Sequence, residues 1–285
     1  MADVPASPSD PPDHRRRTRF LMIGAAVVVL AAVAIGLFIG SRPLPAPPTQ
    51  APAASPSPSP SVNERSALAG LRVVLDPGHN GGNAAAPAEM AQQVDNGRGG
   101  RKHCNTAGTS TAGGYPEHAF AWDVAQRTRD LLQAAGAEVT LTRDDDTGVG
   151  PCVDVRGRSA QEHDADVLVS LHADGADNPE VAGYFAIVSD PPLNDAQGQP
   201  TRELATALLD ALGQAGFAPS SSYPGALSER PDLATLNLAE RPAVLLELAE
   251  MRNPEEAAVA ESPEGRQRYA QAVVDGLERW AADRG

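Results

Sequence analysis

The chain has 285 residues, 26 prolines, 26 glycines, only 4% aromatic residues and a formal net charge of −14 at pH 7. That length fits one or two domains. The acidic balance argues against a nucleic-acid partner, whose phosphates need a basic footprint.

Residues 1–13 are rich in Pro, Ser and Asp without apolar periodicity, and with the basic cluster His14-Arg15-Arg16-Arg17-Thr18-Arg19 they form an expected disordered cytoplasmic tail over 1–19. Residues 20–40 are uncharged and apolar. At 1.5 Å per residue such a run reaches roughly 30 Å, the thickness of a bilayer core, and the arginines before it keep its start cytoplasmic. The expectation is a transmembrane helix or signal anchor. The rival is a cleaved signal peptide, whose apolar region is normally about 7–15 residues long with a small-residue cleavage site behind it; Gly40-Ser41-Arg42-Pro43 is a poor one. Residues 41–66 are almost wholly Pro, Ala and Ser, a linker whose prolines hold it extended at about 3.1 Å per residue, or roughly 80 Å in all. A cell-membrane location with the following domain outside is expected, or secretion to the cell wall if the apolar segment is removed.

From residue 67 to 285 strand-like and helix-like runs alternate, as in one α/β domain with a sizeable core. The first strand, Leu71–Asp76, breaks into Pro77-Gly78-His79-Asn80-Gly81-Gly82, a turn around an imidazole at a strand's carboxyl end, where sites of open α/β sheets lie. A phosphate-binding reading of these glycines lacks both the Lys-Ser/Thr and the G-x-G-x-x-G spacing. Residues 83–114 are polar and too long for an ordinary connection, so a hairpin or flap beside the site is expected. Pro116-Glu117 opens a helix with Ala121, Val124, Thr128, Leu131, Leu132 and Ala135 at helical spacing, stopped by Gly136. Taken alone, Glu117 reads as a charge complementing the helix dipole.

Val139–Thr142 reads as the second strand, Cys152 begins a helical stretch, and Ala165–His172 is a buried strand that again ends on a histidine. Asp144-Asp145-Asp146 lacks the spaced ligands and glycine of a calcium loop and reads as a solvated turn. Gly183–Ser189 is a further strand and Arg202–Gly213 a helix with Leu204, Leu208, Leu209 and Leu212 inward. After a loop with Tyr223-Pro224-Gly225, Pro242–Glu247 forms an apolar strand ending on a carboxylate, and a last helix near Glu264–Trp280 closes the domain. All four candidate site residues thus fall at strand ends or a helix start. His14, His103, His118 and His163 read as solvated or structural.

Two imidazoles and one carboxylate, with a fourth position left to water, make a catalytic zinc set, because structural zinc is usually closed by four protein ligands rich in cysteine. His79, Glu117 and His172 supply those residue types, and Glu247 can carry a proton from water to a leaving nitrogen.

The segments Val74–His79, the helix-initial Glu117, Ser170–Asp174 and Pro242–Leu248 with Asn253-Pro254 resemble the type 3 family of zinc-dependent N-acetylmuramoyl-L-alanine amidases. Cys104, Cys152, Gly97–Gly100 and Ser110–Glu117 further resemble its mycobacterial and actinobacterial single-domain branch. The resemblance implies a mostly parallel sheet sandwiched by helices, zinc ligation by His79, Glu117 and His172, and general-base work by Glu247. It implies hydrolysis of the amide between N-acetylmuramic acid and L-alanine in peptidoglycan, for cell-wall remodelling. A monomer is expected. A zinc peptidase cutting within the stem peptide and a non-catalytic wall-binding module are the alternatives. The sequence departs from the family pattern at Ala160-Gln161, where Ala-Asn is usual, and at Ala249-Glu250, where Gly-Phe is usual. Two cysteines beyond an outward-facing segment predict one Cys104–Cys152 disulfide outside the ligand set, a pair of free buried thiols being the alternative.

Overall fold

The computed structural model describes residues 66–284. The tail over 1–19, the apolar segment over 20–40 and the linker over 41–66, except Ser66, lie outside the described residues. Among the described residues no helix is long and apolar enough to cross a membrane.

Strand β1 (Arg72–Pro77) is followed by a one-turn helix α1 (Pro87–Met90) and a hairpin of β2 (Gln93–Asp95) and β3 (Arg101–His103). Next come α2 (Glu117–Ala134), β4 (Glu138–Leu141), α3 (Val153–Glu162), β5 (Val167–Asp174), β6 (Phe185–Ser189) and α4 (Gln199–Gln214). The chain continues through β7 (Leu227–Arg230), α5 (Ala234–Asn237), β8 (Ala243–Glu250), α6 (Pro254–Glu261) and α7 (Pro263–Ala282).

Six strands form one sheet in the order β4-β1-β5-β8-β6-β7. Strands β4, β1, β5 and β8 run parallel, while β6 pairs with β8 antiparallel and with β7 parallel. The expected mostly parallel sheet is therefore present. Its central strands are near-continuous apolar runs because helices cover both faces, leaving no solvated side to favour alternation. Helices α2 and α4 lie on the sheet and α7 packs against both, while α3 and α5 form a second packed pair. The first group buries helically spaced rows, Phe120, Val124 and Leu132 from α2, Leu204, Leu208 and Leu212 from α4, and Tyr269, Val273 and Leu277 from α7. The Tyr269 ring stacks on Phe217 at 4.0 Å and meets Phe120 edge-on at 5.7 Å. Burying each such side chain contributes roughly 1.5–3 kcal/mol.

The segment read as one loop between α4 and β8 holds both β7 and α5, and α6 precedes the last helix. These elements carry no long apolar period: β7 is Leu-Ser-Glu-Arg, and it exists because β6 offers it a sheet edge. Residues 83–114, expected as a hairpin or flap, hold α1 and the β2–β3 hairpin, whose tip is tied down. Arg98 donates from Nη2 to Ser189 Oγ (2.9 Å) and the Pro191 carbonyl (2.6 Å), and from Nε to Asn237 Oδ1 (3.2 Å).

Both departures from the family pattern have local work. Gln161 donates to the Leu238 carbonyl (2.9 Å) and accepts from Glu240 N–H (3.2 Å), fixing α3 to the turn before β8. The buried Glu250 carboxylate accepts from Ala176 N–H at 2.7 Å and so holds the segment that leaves β5.

Candidate active site

Strand β1 delivers His79 two residues beyond its end, in a backbone conformation of positive φ (55°) that a histidine adopts only when its surroundings hold it. Two buried arginines do so by taking the carbonyls of the turn. Arg156 donates from Nη1 to Asp76 Oδ1 (2.7 Å) and the Pro77 carbonyl (2.8 Å), and from Nη2 to the His79 carbonyl (2.7 Å). Arg143 donates from Nε to the Pro77 carbonyl (2.9 Å) and from Nη2 to the Gly78 carbonyl (3.3 Å) and the His118 carbonyl (2.9 Å). With the loop so fixed, His79 Nδ1 lies 3.0 Å from the Thr106 carbonyl, which sets it as the protonated nitrogen and leaves Nε2 facing Glu117 Oε1 at 3.1 Å.

Glu117 opens α2, so its carboxylate stands where the helix's free N–H groups and dipole favour negative charge. Its Oε2 accepts from Thr109 N–H (2.9 Å), and its Oε1 lies 2.8 Å from His172 Nδ1. Burial raises the pKa of this carboxyl, but the adjacent imidazoles of His79 and His172 outweigh it and hold the group well below the usual carboxylate range. His79 shifts upward for the reciprocal reason, the pull of Glu117 exceeding the penalty of burial.

One donor atom from each of His79, Glu117 and His172 falls within 4.8 Å of the others. Two imidazole nitrogens and one carboxylate oxygen form a donor set suited to a divalent metal. Two glycines let the backbone come this close. A Cβ on Gly78 would lie 2.3 Å from His172 Cε1, and one on Gly108 would lie 2.7 Å from Glu117 Oε2 and 2.8 Å from His79 Cδ2. Gly108 also has φ +81°, a region that favours glycine.

Glu247 is the direct neighbour of His172 in the β5–β8 register, so both side chains rise from the same face of the sheet. Its Oε2 is buried and has no hydrogen-bond partner among the described residues. Burial first, and then repulsion from Glu117, Asp174 and Glu250, push its pKa well above the ordinary carboxylate range. The cleft that contains all four residues is also walled by Thr106, Thr109, Asp174 and Arg230.

The structure thus brings together the four residues singled out from sequence, with one adjustment of position. His172 and Glu247 lie inside β5 and β8, each strand running on for two or three residues past them, because the two strands continue pairing to Asp174 and Glu250. Asp146 is not part of a solvated turn: it accepts from Arg143 (2.9 Å) and sits 2.8 Å from His118 Nδ1, the buried guanidinium requiring a counter-charge. His118 is accordingly structural. His103 is exposed in β3 at the rim of a pocket beside His79 and His172. Glu89 is exposed on α1 and outside the donor group. Arg143, Arg156, Thr106 and Arg230 had no signal in the sequence, since arginines next to turns are ordinarily solvated and Thr106 contributes its backbone. The expected Cys104–Cys152 disulfide is formed. It lies outside the donor group but two residues from Thr106.

An open, mostly parallel sheet with two imidazoles and a carboxylate gathered at its carboxyl edge, beside a buried and unpartnered carboxyl oxygen, defines the class of α/β enzymes with a place for a metal ion. Comparison with known proteins narrows the class. The family model for N-acetylmuramoyl-L-alanine amidase matches residues 73–279, and the chain belongs to that family. A Mycobacterium tuberculosis N-acetylmuramoyl-L-alanine amidase is 44% identical over 220 residues, covering 76% of this chain and 89% of that relative. Among solved structures, the amidase of Mycobacterium smegmatis is 43% identical with a TM-score of 0.73, covering 76% of this chain and 99% of that one. The apo amidase of Mycobacterium abscessus is 45% identical with a TM-score of 0.72, covering 74% and 99%.

Proposed function

We propose that this amidase hydrolyses the amide between N-acetylmuramic acid and L-alanine of peptidoglycan with zinc held by His79, Glu117 and His172, and with Glu247 as the proton carrier. The observation that carries the reading is the convergence of those three donor atoms beside a carboxylate oxygen that is buried and unpartnered. When bound, zinc supplies Lewis acidity at the scissile carbonyl and at the attacking water. His79 presents Nε2 to the metal because Nδ1 is committed to the Thr106 carbonyl, and Glu117 is kept ionised by the two imidazoles. Glu247 takes a proton from the attacking water and returns it to the nitrogen of the departing L-alanine; a carboxyl with a raised pKa holds that proton between the two steps. The domain does this outside the cell membrane, on the linker over 41–66 and anchored by the segment over 20–40, since an apolar run of that length is followed by chain too rich in proline to pack.

Metal analysis and a muropeptide digest test the assignment. His79→Ala is expected to lose zinc and activity together, whereas Glu247→Gln keeps zinc and loses turnover. The native protein is expected to release glycan with a free lactyl carboxyl. A zinc-free Glu247→Gln protein would make Glu247 a ligand, and an intact lactyl-alanine bond with a cut peptide would make the enzyme a peptidase.

A further inference from the structure

Apart from the donor group, the charge arrangement of the cleft has one feature the reaction does not use. Its walls carry Glu117, Asp174 and Glu247, and Arg230 is the one permanent cation among the described residues that line it. Arg230 closes β7, and its backbone is fixed by Asp190 N–H, which donates to its carbonyl at 3.0 Å. Its side chain is fixed as well: Nε and Nη2 donate to the two oxygens of Asp232 at 2.9 and 2.8 Å. A guanidinium carries five N–H donors. Asp232 takes two along one edge, which leaves the end bearing both Nη atoms, a fork that matches a second carboxylate. Lys102 of the hairpin joins the same spot, donating from Nζ to the Asp232 carbonyl at 2.6 Å. Lys102 also lines a cavity of about 200 Å³ that adjoins His79 and His172. Two cations and one carboxylate leave a local positive charge beside the cleft, in a chain whose formal charge is −14.

We propose that Arg230, oriented by Asp232 and reinforced by Lys102, binds a free carboxylate on the stem peptide and so makes the enzyme discriminate between acid and amidated peptides. The inference rests on the reading of the cleft as an amidase site. In that substrate the lactyl carboxyl is tied up in the scissile amide, so the sugar side offers no anion at the bond. The peptide side does, wherever the residue after L-alanine is a glutamate joined through its side chain with its α-carboxyl free. Arg230 is a specificity residue here, touching substrate away from the reacting atoms.

The test compares N-acetylmuramoyl-L-alanyl-D-isoglutamate with the same compound bearing a carboxamide in place of that carboxyl, by steady-state kinetics on zinc-loaded protein. The two corresponding free dipeptides are compared by calorimetric binding. The native enzyme is expected to favour the acid by roughly 10- to 100-fold, through KM, the range for a charge-assisted hydrogen-bonded pair. Arg230→Gln is expected to erase that preference by raising KM for the acid, and Arg230→Lys to retain part of it. Equal treatment of acid and carboxamide by the native protein would overturn the proposal, whether or not the variants fold. An equal fall in kcat on both compounds in Arg230→Gln would also overturn it, by placing the residue in the chemistry. The dipeptides separate the two readings: a preference for the acid dipeptide without hydrolysis of either muramoyl compound would uphold Arg230 and count against the amidase assignment alone.

Discussion

Asp76 is almost fully buried, and it shows what single residues contribute behind the donor group. Burial raises the pKa of its carboxyl, but Arg156, with hydrogen bonds from Ser170 (2.6 Å) and Thr142 (2.5 Å), more than reverses this and leaves the value below the ordinary range. The stability it contributes is therefore present above the unfolded-state value of about 3.9 and lost as pH falls through the folded value. Asp76→Asn leaves the Arg156 charge buried without its partner, and such losses cost about 3–5 kcal/mol. Chemical denaturation near neutral pH is expected to show that loss, and the gap between native protein and variant to narrow in acid. A gap that stays constant with pH would mean that Asp76 stabilises through shape alone. Because Arg156 also holds the His79 carbonyl, the same variant is expected to retain less zinc after dialysis.

Among the elements, the disulfide joins the strand end of the hairpin to the start of α3. It closes a separation of 48 residues, worth roughly 4 kcal/mol in the chain-entropy model. Cys152→Ser is expected to lower Tm, at roughly 2–4 °C per kcal/mol in a domain of this size, as scanning calorimetry would report. An unchanged Tm would show that the hydrogen bond from Val153 N–H to the Cys104 carbonyl (2.7 Å) and the packing around it suffice. The elements differ in how far the sequence revealed them. Strands β5 and β8 are long apolar runs, and α2 has a proline start, a helical row and a glycine stop, so period and punctuation marked them. Strand β7 and helices α5 and α6 are short and patterned by their neighbours, and no local signal marks an element that exists through tertiary pairing. The site divides the same way. Residue types at strand ends pointed to His79, His172 and Glu247, while Glu117, at a helix start, read alone as a charge complementing the dipole and gained its role only in the company of the two imidazoles. Arg143 and Arg156 escaped notice because their role lies in which carbonyls they reach, something no spacing encodes.

For the whole molecule, the described domain is an α/β fold, and the question of place rests on the residues before it. On the proposed anchoring, the apolar segment over 20–40 would be held by burial in hydrocarbon rather than by charge. The full-length protein is expected to fractionate with membranes and to resist extraction by high salt. A mature N-terminus after residue 40, with the protein in the culture medium, would sink the anchor reading. The strand order has a consequence in time as well as in space. Strand β8, sixth in the order of the sheet's own strands along the chain, is seated between β5 and β6, two strands made long before it. The earlier strands cannot close on each other without excluding it, and non-local parallel pairing of this kind is slow to form. A nascent or partly folded chain can therefore assemble the β1, α2 and β5 side of the cleft while the middle of the sheet still stands open. Only when β8 is in place does Glu247 stand opposite His172, so the set of residues that cuts the wall is incomplete until the sheet's middle is filled.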